Sequence, residues 1–136
     1  MGELLHAELT GEIIKSFYNV YNSLGFGFLE KVYENALAYE LRKAGFIVAQ
    51  QKPISVFYAG VEVGEYYADL LVNGYVIVEL KAAEKIVSAH EAQLINYLRA
   101  TDVEVGLLLN FGPSPDYKRK LHTKDKKHFL SVLFEP

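Results

Sequence analysis

Two apolar runs constrain the fold of this 136-residue chain more than any other feature of its sequence. Residues 75–78 and 105–111 are almost continuously apolar, and each is far too short to span a membrane. Strands of this kind are normally covered on both faces of a sheet, whereas a half-exposed strand alternates between apolar and polar residues. The sequence therefore predicts a central sheet with helices packed on it, an α/β (α+β) fold in a single domain over residues 1–136.

Periodicity predicts two helices before the sheet. Apolar residues recur at helical spacing over residues 13–24, with Thr10 as the candidate N-cap, and again over residues 29–41, where Gly45 ends the pattern. A third helix is expected from Ser88, its candidate N-cap, to Arg99. The predicted strands are residues 47–51, 54–58, 66–72, 75–81, 105–111 and 129–134, with Pro53 interrupting the first two.

Composition excludes several kinds of chemistry. The absence of cysteine removes disulfides, thiol catalysis, Cys-ligated zinc and iron–sulfur clusters. The four histidines contain no pair at the spacing of a helical zinc site, and the sequence lacks both a Gly-x-Ser-x-Gly elbow and a phosphate-binding loop. No signal-peptide pattern or membrane span is seen, so a cytoplasmic protein without membrane contact is expected.

Charge is distributed unevenly along the chain, which has a formal net charge of −3. Residues 116–128 hold six basic side chains against two acidic ones, and the remainder is acidic. This basic segment is either a solvated surface near the C-terminus or a contact for a polyanion.

Three charged residues occur where strands disfavour them. Asp69 lies inside a predicted strand, and Glu79 and Lys81 end the apolar run that begins at residue 75. A buried carboxylate is costly unless it is paired or bound to metal. Strand alternation places Glu79 and Lys81 on one face.

Whether Asp69 shares that face depends on the turn at Asn73-Gly74, the strongest hairpin signal in the sequence. A two-residue turn would pair residue 69 with 78 and send Asp69 to the opposite face. A three-residue loop of residues 72–74 would pair 71 with 75 and 69 with 77, which brings Asp69 close to Glu79. We predict the three-residue loop.

Two converging carboxylates are typical of a site for a hard divalent cation, Mg²⁺ or Mn²⁺. Such an ion activates water and neutralises a phosphodiester, with Lys81 offsetting developing charge. A structural ion-pair network at a strand end explains the same three residues equally well.

Two helices carry further candidate residues. His90, Gln93 and Tyr97 share one face of the third helix. Glu30 and Tyr33 open the second helix, where a glutamate also suits the helix N-terminus. Core packing and helix capping are the alternatives for these side chains.

Together these residues resemble the GxxExxY proteins of the PD-(D/E)XK nuclease superfamily. Residues 27–33, Gly-Phe-Leu-Glu-Lys-Val-Tyr, match the motif that names the family. Asp69 with Glu79-Leu80-Lys81 is similar to the Asp and Glu-x-Lys of the superfamily, and residues 93–97 match a Gln-x-x-x-Tyr motif. Ala68 departs from the proline of the superfamily name, and Tyr67 stands where a basic residue is expected.

The resemblance implies a restriction-endonuclease-like core, a central mixed sheet flanked by helices. It implies that Asp69 and Glu79 ligate Mg²⁺ or Mn²⁺, that Lys81 is the catalytic lysine, and that Glu30 and Gln93 line the same pocket. The expected substrate-binding residues are Tyr33, His90, Tyr97, Lys118, Arg119 and Lys120.

Two functional hypotheses follow. The first is a metal-dependent nuclease that hydrolyses phosphodiester bonds in DNA or RNA, with the basic segment on the phosphate backbone. The second is a non-catalytic module that retains the nuclease fold and binds nucleic acid or protein. A chain this short offers little surface for gripping a duplex, so a homodimer or a partner protein is expected.

Overall fold

The computed structural model describes residues 5–123, which form three helices and five strands. In chain order these elements are α1 (Ala7–Leu24), α2 (Glu30–Lys43), β1 (Val48–Tyr58), β2 (Val61–Val72), β3 (Val76–Lys81), α3 (Ser88–Arg99), β4 (Val105–Phe111) and β5 (Pro115–Leu121). None of the helices in this part of the chain is long and apolar enough to cross a membrane.

The five strands form one mixed sheet in the order β1-β2-β3-β4-β5. Strands β3 and β4 are parallel and α3 connects them, whereas the other neighbouring pairs are antiparallel. The parallel strands β3 and β4 contain the apolar runs, and every residue of β4 is buried. The predicted fold, a central mixed sheet flanked by helices, is confirmed.

Two apolar clusters hold the layers together. Helices α1 and α2 pack on one face, where Phe17 and Leu37 contact sheet residues such as Val78 and Leu107. Helix α3 covers the other face, where Leu94 packs with Ile77 and other buried residues. Burial of both faces explains why β3 and β4 are apolar throughout.

The sequence-based strand boundaries were wrong at both edges of the sheet. The two strands predicted at 47–51 and 54–58 are one strand, β1, which begins at Val48 and continues through Pro53 because an edge strand tolerates the missing N–H group. Strand β5 was not predicted, since its charged residues read as a solvated segment. Charge on an edge strand discourages pairing with other chains. The predicted strand at 129–134 lies outside the described residues.

Both predicted N-caps were wrong. Helix α1 begins at Ala7, and the buried Thr10 lies inside it, donating its hydroxyl to the Ala7 carbonyl at 3.1 Å. Ser88 is the first residue of α3, and Val87 is the N-cap position. The prediction for Gly45 is confirmed, because its φ of 96° follows the end of α2 and its N–H bonds to the Arg42 carbonyl.

The turn between β2 and β3 has the predicted length but a different register. Val72 pairs with Val76, so the three loop residues are Asn73, Gly74 and Tyr75. The prediction that residue 71 pairs with residue 75 was wrong, since Leu71 lies opposite Ile77. Asn73 and Gly74 both have positive φ, 52° and 72°. An odd-numbered loop is what allows residues 69 and 79 to meet.

Candidate active site

Asp69 and Glu79 meet at the point where β2 and β3 separate. Backbone pairing between these strands is last seen at Leu70 and Val78. Beyond it the carboxylates replace the missing backbone bonds: the Asp69 N–H donates to Glu79 Oε2 at 3.1 Å, and the Leu80 N–H donates to Asp69 Oδ2 at 2.8 Å. Each carboxylate therefore accepts a backbone N–H of the opposite strand, and together the two side chains join β2 and β3 where the backbone pairing ends.

Burial changes the acid–base behaviour of this pair. Glu79 is only 5% exposed, and burial, followed by the charge of Asp69, raises the pKa of its carboxyl to about 8. Burial also raises the pKa of Asp69, against the hydrogen bond from Leu80. Lys81 is near enough to lower both pKa values. At neutral pH the free pair therefore favours a bound proton, or a cation in its place.

Lys81 and two further residues complete the cluster predicted from the sequence. Lys81 Nζ donates to Gln93 Oε1 at 3.3 Å, which joins the end of β3 to α3. Glu30, the first residue of α2, is close enough for its charge to raise the pKa of Glu79. The structure thus brings the five predicted catalytic residues to one end of the sheet.

Tyr97 lies beside this cluster, stacked on a residue that the sequence did not single out. The Tyr66 and Tyr97 rings are 3.6 Å apart between centroids and nearly parallel. Burial and then neighbouring charge, including that of Glu79, raise both pKa values, that of Tyr97 to about 12. In the part of the chain that the structure describes, the Tyr66 hydroxyl is the buried side-chain polar atom without a hydrogen-bond partner.

Tyr33 and His90, both predicted to contact substrate, make hydrogen bonds within the fold. Tyr33 has no exposed surface, stacks on Phe111, and its hydroxyl donates to the Gly25 carbonyl at 2.6 Å. It therefore holds the α1–α2 loop on the core. His90 Nδ1 accepts the Val87 N–H at 3.2 Å, which satisfies a free donor at the start of α3.

The three described basic residues of β5 do not form one surface. Lys120 pairs with Glu91 of α3 at 2.5 Å, and Lys118 also lowers the pKa of Glu91, so both lie on the α3 side. Arg119 instead donates to the Leu5 carbonyl before α1. The rest of the basic segment, from residue 124 onward, lies outside the described residues.

The loop that follows Lys81 is clamped from β4. Asn110 is 1% exposed, and its side-chain amide exchanges two hydrogen bonds with the backbone of Ala83, at 2.9 and 3.0 Å. Next to this clamp is a cavity of about 510 Å³ that reaches Glu30. It is lined by residues 26–30, 82–84 and 111–113.

Gly112 tests how tightly this loop is fixed. A Cβ atom at Gly112 would lie 2.3 Å from the Ala83 carbonyl oxygen, so Gly112→Ala must displace backbone. We expect a loss of roughly 1–3 kcal/mol in the free energy of unfolding, measured by urea denaturation. Gly64→Ala is the matched control, because nothing lies within 4 Å of that position. Equal stability of the two variants would contradict the clamp.

Three buried or half-buried polar residues at the site were missed by sequence reasoning. Glu34 and Gln51 lie next to Asp69, and Asn110 fixes the loop after Lys81. Glu34 had a signal, since it follows Glu30 by four residues and therefore shares its helix face. Gln51 had none, because its position depends on an unusual backbone conformation.

The donors present fit a hard divalent cation. Among residues 5–123 no three His, Asp or Glu side chains form a metal-binding group. Mg²⁺ needs fewer, because it is usually held by one or two carboxylates and keeps several waters. Asp69 and Glu79 provide such a pair, and burial, the largest cause, raises the pKa of both carboxyls.

Comparison with known proteins points to nucleases. A family model described as the PD-(D/E)XK nuclease superfamily matches residues 7–121. The solved structure of SSO0001 is similar with a TM-score of 0.54 and 17% identity, over 96% of this chain and 66% of that one. An alkaline exonuclease from Laribacter hongkongensis has a TM-score of 0.51 and 15% identity, over 77% and 61% of the two chains. No curated protein matches significantly.

The two structural likenesses are at the level of the fold. This chain spans less than two thirds of the length of the two solved proteins. Their alignments cover 96% and 77% of this chain.

Proposed function

The chain belongs to the PD-(D/E)XK nuclease superfamily, and from that membership we propose that it is a metal-dependent nuclease that hydrolyses phosphodiester bonds in DNA or RNA. The observation that carries this proposal is the pair of carboxylates formed by the buried Glu79 and the half-buried Asp69, with Lys81 beside them. The match of residues 27–33 to the motif of the GxxExxY proteins supports the further proposal that the chain belongs to that branch.

In the proposed reaction Asp69 and Glu79 hold Mg²⁺ or Mn²⁺, which supplies charge neutralisation and an acidified water when bound. Lys81 lies between the carboxylates and α3, where its ammonium group can stabilise charge that develops on the phosphate. Gln93 holds Lys81 Nζ at 3.3 Å and thereby limits its orientations. Glu30 lines the cavity beside the Asn110–Ala83 clamp, and its charge acts on Glu79.

The substrate approaches, in this proposal, from the α3 side of the sheet. Lys118 and Lys120 lie on that side, and Lys81 and Gln93 meet there too. Cations on that side of the sheet would bind substrate phosphates that flank the one being cleaved. Arg119 is not part of this surface. A homodimer or partner protein, and a cytoplasmic location, stay predictions.

Metal binding is the first test. At Mn²⁺ concentrations about 100-fold above the dissociation constant, the melting temperature of the wild type should rise by roughly 10 °C, because the ion binds only the folded chain. Asp69→Asn should lose most of this shift. Asp102→Asn is the matched control, since Asp102 is an exposed carboxylate of the loop between α3 and β4.

Cleavage is the second readout of the same experiment. Wild-type protein with Mg²⁺ or Mn²⁺ should cut single- or double-stranded DNA or RNA, and chelation should stop it. If neither a thermal shift nor cleavage is seen with any of these substrates, the non-catalytic binding module becomes the better interpretation.

A further inference from the structure

Gln51 has an unusual backbone conformation for a residue inside a strand. Its φ is 54°, in the left-handed region, a strained conformation for a residue other than glycine. Among residues 5–123 the other non-glycine residues with positive φ are His6, Ala59 and Asn73, which lie at a helix start or in hairpin turns. Of these four residues, Gln51 is therefore the one whose strained backbone lies inside a strand of the sheet.

At this position the even-numbered side chains of β1 and β2 change from one face of the sheet to the other. Before Gln51, Val48 contacts the α1–α2 side of the core, and after it Ile54 contacts the α3 side. The partner strand changes in the same way, from Ala68 on the α3 side to Leu70 on the other. Asp69 lies between these two residues, and Gln51 occupies the matching position of β1, between the pairs Gln50–Leu70 and Lys52–Ala68.

The Gln51 side chain uses this conformation to bridge two carboxylates. Its Nε2 atom donates to Asp69 Oδ1 at 3.2 Å and to Glu34 Oε1 at 2.7 Å. The other oxygen of Asp69 accepts from Leu80. Both oxygens of the Asp69 carboxylate are therefore held, one from β1 and one from β3.

Glu34 is itself fixed. It is only 4% exposed, and it also accepts from Lys31 Nζ at 3.1 Å and from Gln50 Nε2 at 2.8 Å. A buried carboxylate with three donors has little rotational freedom, so it determines the direction in which the Gln51 amide points.

We propose that Gln51, oriented by Glu34, is a positioning residue that fixes the Asp69 carboxylate for cation binding. The strained backbone at Gln51 is retained because the unstrained alternative would not place the amide between Glu34 and Asp69. This inference rests on the proposed function in that it takes Asp69 as a metal ligand.

Two substitutions of Gln51 separate positioning from stability. Gln51→Gly and Gln51→Ala both remove the amide, but glycine accepts a positive φ without strain. We expect Gln51→Gly to unfold at a higher urea concentration than Gln51→Ala. Both variants should bind Mn²⁺ about 10- to 100-fold more weakly than the wild type, by calorimetric titration in the absence of substrate.

Gln50→Ala is the matched control. Gln50 also donates to Glu34 but makes no bond to Asp69, so its loss should leave the Mn²⁺ affinity within about twofold of the wild type. Glu34→Gln keeps an oxygen that accepts from Gln51 and should retain most of the affinity that Glu34→Ala loses.

The outcomes distinguish this inference from the proposed function. If the wild type binds Mn²⁺ and Gln51→Gly binds it equally well, the positioning role is overturned and the nuclease proposal stands. If the loss of affinity follows stability, so that Gln51→Gly is less affected than Gln51→Ala, the role is structural and the inference is also overturned. If the wild type does not bind Mn²⁺, both proposals are wrong.

Discussion

Replacing Lys81 with alanine is expected to reduce phosphodiester cleavage by about 10³-fold, the effect of removing one positioned charge from a developing anion. Lys81 ends β3, two residues after Glu79, and donates to Gln93 at 3.3 Å. Its ammonium group therefore has a defined position next to the carboxylate pair. Because it repels a cation, its removal should leave Mn²⁺ affinity unchanged or slightly improved.

Single-turnover cleavage of a labelled oligonucleotide measures the chemical step, and calorimetric titration measures Mn²⁺ binding. Lys85→Ala is the control, since Lys85 is an exposed lysine of the loop that follows Lys81. Cleavage by Lys81→Ala at more than about a tenth of the wild-type rate would remove Lys81 from the proposed chemistry. Loss of Mn²⁺ binding in the same variant would show that Lys81 acts on the structure of the site.

The central part of the fold was predictable because its signals are strong and local. An apolar run covered on both faces, interrupted by Asn73-Gly74, defines two strands and a short turn. Asp69, Glu79 and Lys81 stand out against such a background, since charge is disfavoured there. Spacing along a helix put Gln93 on one face with His90 and Tyr97, and the family resemblance implied that Gln93 lines the same pocket as Lys81.

The register of the turn was not predictable from the same signals. Loops of residues 72–74 and residues 73–75 both contain Asn73-Gly74 and both keep Asp69 and Glu79 on one face. The choice depends on packing, because Val72 and Val76 are both fully buried as a pair while Tyr75 is exposed. The sequence alone does not state which of these apolar side chains enters the core.

Gln51 and β5 were missed for different physical reasons. The left-handed conformation of Gln51 is stabilised by Glu34 and Asp69, which are 17 and 18 residues away in sequence. Local propensity contains no information on such contacts. Strand β5 pairs along its length with the buried β4, so tertiary pairing overrides its charged, weakly strand-forming sequence.

The other large effect expected is a dependence of stability on pH that is caused by Glu79. Burial, and then the charge of Asp69, raises the pKa of its carboxyl from 4.5 to about 8. A carboxyl with a higher pKa in the folded chain binds its proton more tightly there than in the unfolded chain. Its contribution to stability is therefore complete below pH 4.5 and is lost as the pH rises through about 8.

Glu79→Gln should remove most of this dependence. Without metal, the free energy of unfolding of the wild type should fall relative to that of Glu79→Gln by roughly 3–5 kcal/mol between pH 5 and pH 9, as measured by urea denaturation in chelator. Glu62→Gln, at an exposed position of β2, is the control and should parallel the wild type. Parallel curves for Glu79→Gln and the wild type would contradict the raised pKa.

The same titration reports on the cation. A divalent ion that binds the ionised pair competes with the proton, so its affinity for the wild type should rise with pH until Glu79 is fully ionised. With saturating Mn²⁺ the free energy of unfolding of the wild type should therefore no longer fall as the pH rises through 8, because the ion replaces the proton as the positive partner of Glu79. Glu79→Gln should gain little from Mn²⁺ at any pH. If Mn²⁺ stabilises both proteins equally, the ion binds elsewhere, and the Asp69–Glu79 pair is held by its hydrogen bonds alone.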